Sequence, residues 1–120
     1  MTFLIDVAAF AEKNSLSLAQ RGDSVYKSCS RYLGFLEREA DVFLQSRGYS
    51  HVSTSSSLEY VLYLYCQDDE WVKLRCTLSA EEKQPTRSSL SIEIGDADLQ
   101  TVEAFFVSHR IPSEVISMLH

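Results

Sequence analysis

Cysteines and histidines are the residues of this sequence that could support nucleophilic or metal chemistry. No histidine has a second ligand at the close spacing of metal sites, and the sequence contains neither a paired-cysteine motif nor a glycine-rich phosphate loop. The cysteines lie among apolar neighbours, which predicts buried and unreactive thiols. We therefore expect no catalytic residue, no metal and no cofactor, so an enzyme is disfavoured. The residues considered are Cys29, Cys66, Cys76, His51, His109 and His120.

A short run of carboxylates, Glu37, Glu39 and Asp41, surrounds Arg38 in a segment with helical periodicity. Residues two apart on a helix point to different sides, so neighbouring members of this run do not face each other. We therefore expect a solvated helix surface here, and not a carboxylate pair for acid–base catalysis.

The stretch LEYVLYLYCQDDEWVKLRC, residues 58–76, predicts two strands and a turn, with large side chains on both faces. Because side chains alternate along a strand, one face is predicted to meet the core. That face holds Leu58, Tyr60, Leu62, Leu64, Cys66, Val72, Leu74, Cys76 and Leu78. Matching the apolar faces leaves two registers, with Val72 opposite either Cys66 or Leu64, and both give an odd-length turn.

The opposite face of this hairpin is the candidate binding surface. Its residues could be ordinary cross-strand pairs on a solvated face. They could also bind a partner, because Tyr, Trp and Arg are enriched where interfaces carry their energy. The predicted partner-binding set joins this face to the acidic turn: Tyr63, Tyr65, Asp68, Asp69, Glu70, Trp71, Lys73 and Arg75.

The charge of the chain restricts its partners. The formal net charge is −6, and the excess of acidic residues lies in the second half of the sequence. This charge disfavours nucleic acid and anionic membranes, and it favours a basic protein partner. No apolar run approaches the roughly 20 residues that span a bilayer. Three cysteines cannot all pair, so reduced thiols and a cytoplasmic location are expected.

Hydrophobic periodicity predicts the elements that position these residues. Gly48 should end a long central helix whose two apolar stripes are both covered. We expect an α+β fold of two layers, in which N-terminal and C-terminal helices pack on one face of an antiparallel three- to four-stranded meander. The 120 residues are expected to form one domain. The predicted helices cover about 2–20, 24–47, 97–109 and 112–119, and the strands about 51–54, 58–67, 71–78 and 89–94.

These features favour a small acidic protein-binding domain over other classes. The first hypothesis is a bacterial immunity-type inhibitor in the cytoplasm that neutralises a basic toxin or enzyme, because opposite charge steers the encounter. The alternative is an acidic protein that resembles secretion chaperones and binds a client as a dimer. A nucleic-acid-binding or enzymatic domain is the third possibility, and the oligomeric state is left open.

Overall fold

The computed structural model describes residues 1–14, 25–78, 88–95 and 99–119. No helix within these ranges is long and apolar enough to cross a membrane. The elements are β1 (Thr2–Asp6), α1 (Val7–Asn14), α2 (Val25–Ser46), β2 (Ser50–Ser56), β3 (Tyr60–Gln67), β4 (Glu70–Thr77), β5 (Ser89–Ile94), α3 (Leu99–Ser108), a 3₁₀ turn (Ser113–Val115) and β6 (Ile116–Leu119).

The strands form one antiparallel sheet of six strands in the order β2-β3-β4-β5-β1-β6. The predicted α+β class with an antiparallel sheet is confirmed. The predicted strand count is too low, because β1 and β6 extend the meander at the edge next to β5. Among the described strands, β2 and β6 are therefore the two edges of the sheet.

The N-terminal segment begins as a strand, so the helix predicted from residue 2 is wrong there. Phe3 and Ile5 alternate into the core and lie opposite Ile92 and Leu90 of β5. The helix α1 starts only after Asp6, whose carboxylate Oδ1 accepts the Ala9 N–H at 3.1 Å as an N-cap. Residues 15–20 of the predicted helix lie outside the described ranges.

The long helix α2 lies within the predicted range and packs one apolar stripe on the sheet. That stripe is buried and comprises Cys29, Leu33, Leu36, Ala40 and Leu44. The second predicted stripe is not covered throughout, because Phe35 and Val42 are 40% and 64% exposed. The side of α2 that carries Phe35 and Val42 is therefore not covered by other elements at these two positions.

The end of α2 is fixed by Gly48, as predicted. Its φ of 93° is a left-handed conformation that favours glycine. The Gly48 N–H donates to the Gln45 carbonyl at 3.1 Å, and the Tyr49 N–H donates to the Leu44 carbonyl at 3.0 Å. This pair of hydrogen bonds is a Schellman motif, and it turns the chain directly into the edge strand β2.

The hairpin of β3 and β4 has a different register from both predicted ones. Tyr65 lies opposite Val72, and Tyr63 lies opposite Leu74. The physical reason is a two-residue turn at Asp68 and Asp69, in which Asp68 has a φ of 54°. The strand β3 is thus turned over, so that Tyr63 and Tyr65 face the helices. The strand's leucines and Cys66 lie on the other face, so the predicted burial of the Cys66 thiol is wrong: it is half-exposed.

The C-terminal helix predicted over residues 112–119 is also wrong. A 3₁₀ turn follows Pro112, and the next four residues form β6, in which Ile116 pairs with Ile5. The helix α3 lies within its predicted range and buries Val102 and Phe106. The side chains of α2, α3 and the helix-facing side of the sheet share one hydrophobic core.

Candidate functional site

The predicted partner-binding set is divided between two faces and one turn. Trp71, Lys73 and Arg75 lie together on the sheet face away from the helices, here called the open face. The other members of the set lie elsewhere: Tyr63 and Tyr65 on the helix-facing side, Asp68 and Asp69 exposed in the turn, and Glu70 half-buried beside it. Predicting Tyr63 and Tyr65 beside Trp71 is wrong, because the register places them on opposite faces.

Some predicted binding residues make local contacts of their own. The Lys73 ammonium lies 5.0 Å from the centre of the Trp71 ring, and the Arg75 guanidinium lies 4.7 Å from the centre of the Tyr60 ring. Lys73 also lies opposite Glu93 on β5. These contacts hold the cations along the open face, whose shallow groove measures about 400 Å³. The open face therefore carries mixed charge.

A second surface, here called the acidic cleft, lies between α2 and the strands β2 and β3. Its volume is about 470 Å³. The helix α2 forms one wall, and aromatic rings of β2 and β3 form the other. The lining residues are Glu37, Arg38, Asp41 and Val42 of α2, His51 of β2, and Tyr63 and Tyr65 of β3.

Two tyrosine hydroxyls on β3 meet two carboxylates on α2 in the acidic cleft. The Tyr65 hydroxyl donates to Asp41 Oδ1 at 2.5 Å, and the Tyr63 hydroxyl donates to Glu37 Oε1. Gln45 donates from its amide to both Asp41 oxygens, at 3.0 and 3.1 Å. These donors are all neutral, so the formal charge of the lining comes from Glu37 and Asp41 against Arg38.

His51 covers the strand side of the acidic cleft. Its ring centre lies 5.4 Å from that of Tyr65 and 5.9 Å from that of Tyr63. Its Nε2 lies 3.1 Å from the Ser53 carbonyl and 2.7 Å from Thr54 Oγ1. Both contacts occupy Nε2. His51 therefore presents its ring face, and not a free basic Nε2, to the two tyrosines.

The environment of the cleft shifts the titration of its phenols away from the neutral range. Burial, followed by the hydrogen bond and charge of the facing carboxylate, raises the pKa of both Tyr63 and Tyr65 above its usual value. Both hydroxyls therefore stay protonated and act as hydrogen-bond donors near neutral pH. Neither of them is a general base.

The thiol behind the cleft is also unsuited to chemistry. Burial, followed by the charge and hydrogen bond of Glu37, raises the pKa of Cys76 to about 12. A thiol that remains protonated is a poor nucleophile. Burial likewise raises the pKa of Cys29. Within the described ranges, no group of three or more His, Cys, Asp or Glu side chains could hold a metal ion.

Part of the acidic cleft could have been predicted from the spacing of its carboxylates in the sequence. Glu37 and Asp41 are four residues apart, a spacing that places them on one face of a helix. The prediction that neighbouring carboxylates of this run point to different sides is correct for Glu39. Its Oε2 lies 3.0 Å from His109 Nε2, away from the cleft. The sequence did not reveal that β3 would present its tyrosines to that helix face.

Comparison of the chain with protein-family models, with curated proteins and with solved structures found no match.

Proposed function

We propose that this chain is a small acidic protein-binding domain of the immunity type, which neutralises a basic toxin or enzyme by holding it at the acidic cleft. The observation that carries the proposal is a cleft open to solvent in which tyrosine hydroxyls hold two carboxylates and the Tyr63 ring is partly exposed. Carboxylates and aromatic rings are the two groups that recognise Lys and Arg side chains. A Lys or Arg side chain of the partner is thus the ligand that fits the cleft.

The charge of the whole chain supports the same partner. The net charge of −6 attracts a basic protein over the length of a screened field, roughly 10 Å at 0.1 M salt. Asp68 and Asp69 are exposed in the turn between β3 and β4 and add to that field. We assign them to the encounter with the partner, and we assign Tyr63, Glu37 and Asp41 to holding it. The buried Tyr65 positions Asp41 through its hydroxyl.

Affinity capture from the source cells, followed by reconstitution, tests the proposal. The captured protein should be basic, its association rate should fall as salt is raised, and its activity or toxicity should be suppressed when this chain is added. An acidic partner, or association that does not depend on salt, would contradict the proposal. The three cysteines are free in the structure, and we propose that the protein works in the cytoplasm.

A client-binding role of the kind that secretion chaperones perform is the second candidate function. It is favoured by the edge strand β2, all seven of whose residues are exposed. An exposed sheet edge suits an extended client segment. Native mass separates the two roles, since the chaperone hypothesis expects a dimer in the absence of partner. The chaperone hypothesis also predicts that the client is active once it has dissociated from this chain.

A further inference from the structure

We propose that an extended, basic segment of a protein partner pairs with β2 as a seventh strand of the sheet, beside the acidic cleft. This inference rests on the proposed function, because it takes the basic partner from there. It adds the mode of binding, which the cleft alone does not specify. Three features support it: the free edge of β2, the charge next to that edge, and the like charge of a second copy.

Within the described residues, no strand lies beside the outer backbone groups of β2. The Ser57 N–H donates to the Tyr60 carbonyl at 2.9 Å, which closes the β2–β3 hairpin with a hydrogen-bonded pair. Hydrogen-bonded and non-hydrogen-bonded pairs alternate along an antiparallel ladder. The register Thr54↔Tyr63 and Ser56↔Val61 therefore directs the backbone N–H and C=O of Thr54 and Ser56 away from β3.

The edge strand β2 has one of the features that usually protect a sheet edge, a register shift, and lacks two others. Natural edges are protected by lysine, proline or bulges. Residues 50–56 read SHVSTSS, without lysine or proline, and the register shift lies between His51 and Ser53. The remaining stretch of Ser53–Ser56 is a regular and uncharged edge. An extended peptide can therefore continue the ladder there.

The position of the new strand explains why its segment should be basic. A residue opposite Thr54 would place its side chain on the helix-facing side, the side of Tyr63 and the acidic cleft. The new strand would lie two strand spacings from β3, roughly 10 Å, which is about one Debye length at 0.1 M salt. Side chains at alternate positions would thus extend toward Glu37 and Asp41. The intervening side chains would lie beside Ser53 and Ser55.

A second copy of this chain is a poorer occupant of the edge. Pairing β2 with β2 would place two acidic clefts side by side on chains that each carry a net charge of −6. Like charges at close range oppose association. A basic segment reverses the sign of that interaction and uses the same backbone groups.

Hydrogen exchange with a defined probe tests the strand pairing. The probe is a synthetic peptide of alternating lysine and threonine with blocked ends. Its binding should slow the exchange of the Thr54 and Ser56 amides at least about tenfold. The Ser55 amide points toward β3 and should exchange slowly with or without the peptide. A peptide of alternating glutamate and threonine should bind much more weakly.

Two substitutions at one position separate the backbone from the side chain. Thr54→Pro removes an outward N–H without removing a hydrogen bond to β3, so the fold should be kept. It should weaken binding of the lysine peptide at least about tenfold, whereas Thr54→Ala should bind within about twofold of the parent. Circular dichroism and thermal melting check that both variants fold.

The failure of the strand proposal can be distinguished from the failure of the proposed function. If Glu37→Gln with Asp41→Asn weakens peptide binding while Thr54→Pro and the exchange rates do not respond, the cleft binds without strand addition and this proposal is wrong. If the lysine peptide does not bind at all, the proposed function fails as well. If Thr54 and Ser56 are protected without peptide in a concentration-dependent way, β2 pairs with a second copy and the proposal is overturned.

Discussion

The hydroxyl of Tyr65 donates to Asp41 Oδ1 at 2.5 Å, although only 1% of the Tyr65 surface is exposed. This bond joins β3 to a half-buried residue of α2. It allows a strand of the core to bury a tyrosine, because the phenol finds a charged acceptor at the rim of the helix. The same bond fixes Asp41 as part of the acidic cleft.

Removing this hydroxyl should destabilise the fold. We expect Tyr65→Phe to lower the free energy of unfolding by about 1.5–3 kcal/mol, the range for a hydrogen bond to a charged group. Tyr60→Phe is the matched control on the open face, where we expect a change below about 0.5 kcal/mol. Denaturant melts measure both variants. Equal effects would mean that the Tyr65–Asp41 bond contributes nothing particular.

The hydroxyls and thiols should make the fold sensitive to alkali. The pKa of Tyr63, Tyr65 and Cys76 is raised in the folded state. A group with a raised pKa stabilises the fold fully below its unfolded pKa, about 8.5 for Cys and about 10 for Tyr. That stability is lost as the pH rises through the folded pKa, about 12 for Cys76.

The free energy of unfolding should therefore fall steadily from about pH 9 upward. Chemical denaturation at a series of alkaline pH values measures it. In Tyr65→Phe the decline above about pH 10 should be shallower than in the parent chain. A stability that is constant through this range would contradict the burial of these groups.

The three thiols should differ in reactivity. Cys66 is half-exposed on the open face opposite Trp71, whereas Cys29 and Cys76 are buried. We expect a thiol reagent to modify Cys66 at least about tenfold faster than the other two in the native protein, since reaction needs access and thiolate. Mass spectrometry of the labelled peptides gives the three rates. Modification of Cys76 at the rate of Cys66 would contradict the register of β3 and β4.

Substitution by alanine should change stability in opposite directions at Gly34, inside α2, and at Gly48, which follows α2. Gly48→Ala introduces a Cβ 2.4 Å from Gln67 Nε2 at a φ of 93°, and should lower stability by about 1–3 kcal/mol. In Gly34→Ala the nearest atom to the Cβ is the flexible Arg38 side chain at 3.4 Å. Helix propensity then predicts a gain of about 0.5–1 kcal/mol. Thermal melts compare the two, and a gain for Gly48→Ala would exclude the left-handed end of α2.

The parts of the fold that the sequence predicted are those with a strong local pattern. The helix α2 has a long apolar stripe and a glycine stop, and β5 alternates cleanly as LSIEI. The ends of the chain lack such a pattern. Residues 2–6 carry apolar side chains at both helical and strand spacing, and only their pairing with β5 selects the strand. The last strand, β6, depends on the same long-range pairing with β1.

The face of β3 could not be chosen from the sequence because both of its faces are apolar. Leu62 and Leu64 favour one orientation, whereas Tyr63 and Tyr65 carry hydroxyls that the core must satisfy. The structure satisfies them with Glu37 and Asp41, which lie more than twenty residues away. A two-residue turn then completes the register. The orientation of β3 thus depends on hydrogen bonds between residues far apart in the sequence, which local periodicity cannot predict.

The most direct test of the acidic cleft compares two double variants that each remove two negative charges. Glu37→Gln with Asp41→Asn changes the cleft while keeping acceptors for the tyrosines, and Asp68→Asn with Asp69→Asn changes the turn. The dissociation constant for the captured partner is measured for both at one ionic strength. The cleft variant should bind at least about tenfold more weakly, mainly through faster dissociation, and the turn variant within about threefold of the parent, mainly through slower association. Arg38→Gln, which removes the cation lining the cleft, should tighten binding. A cleft variant that binds as tightly as the parent chain, or no more weakly than the turn variant, would contradict the account.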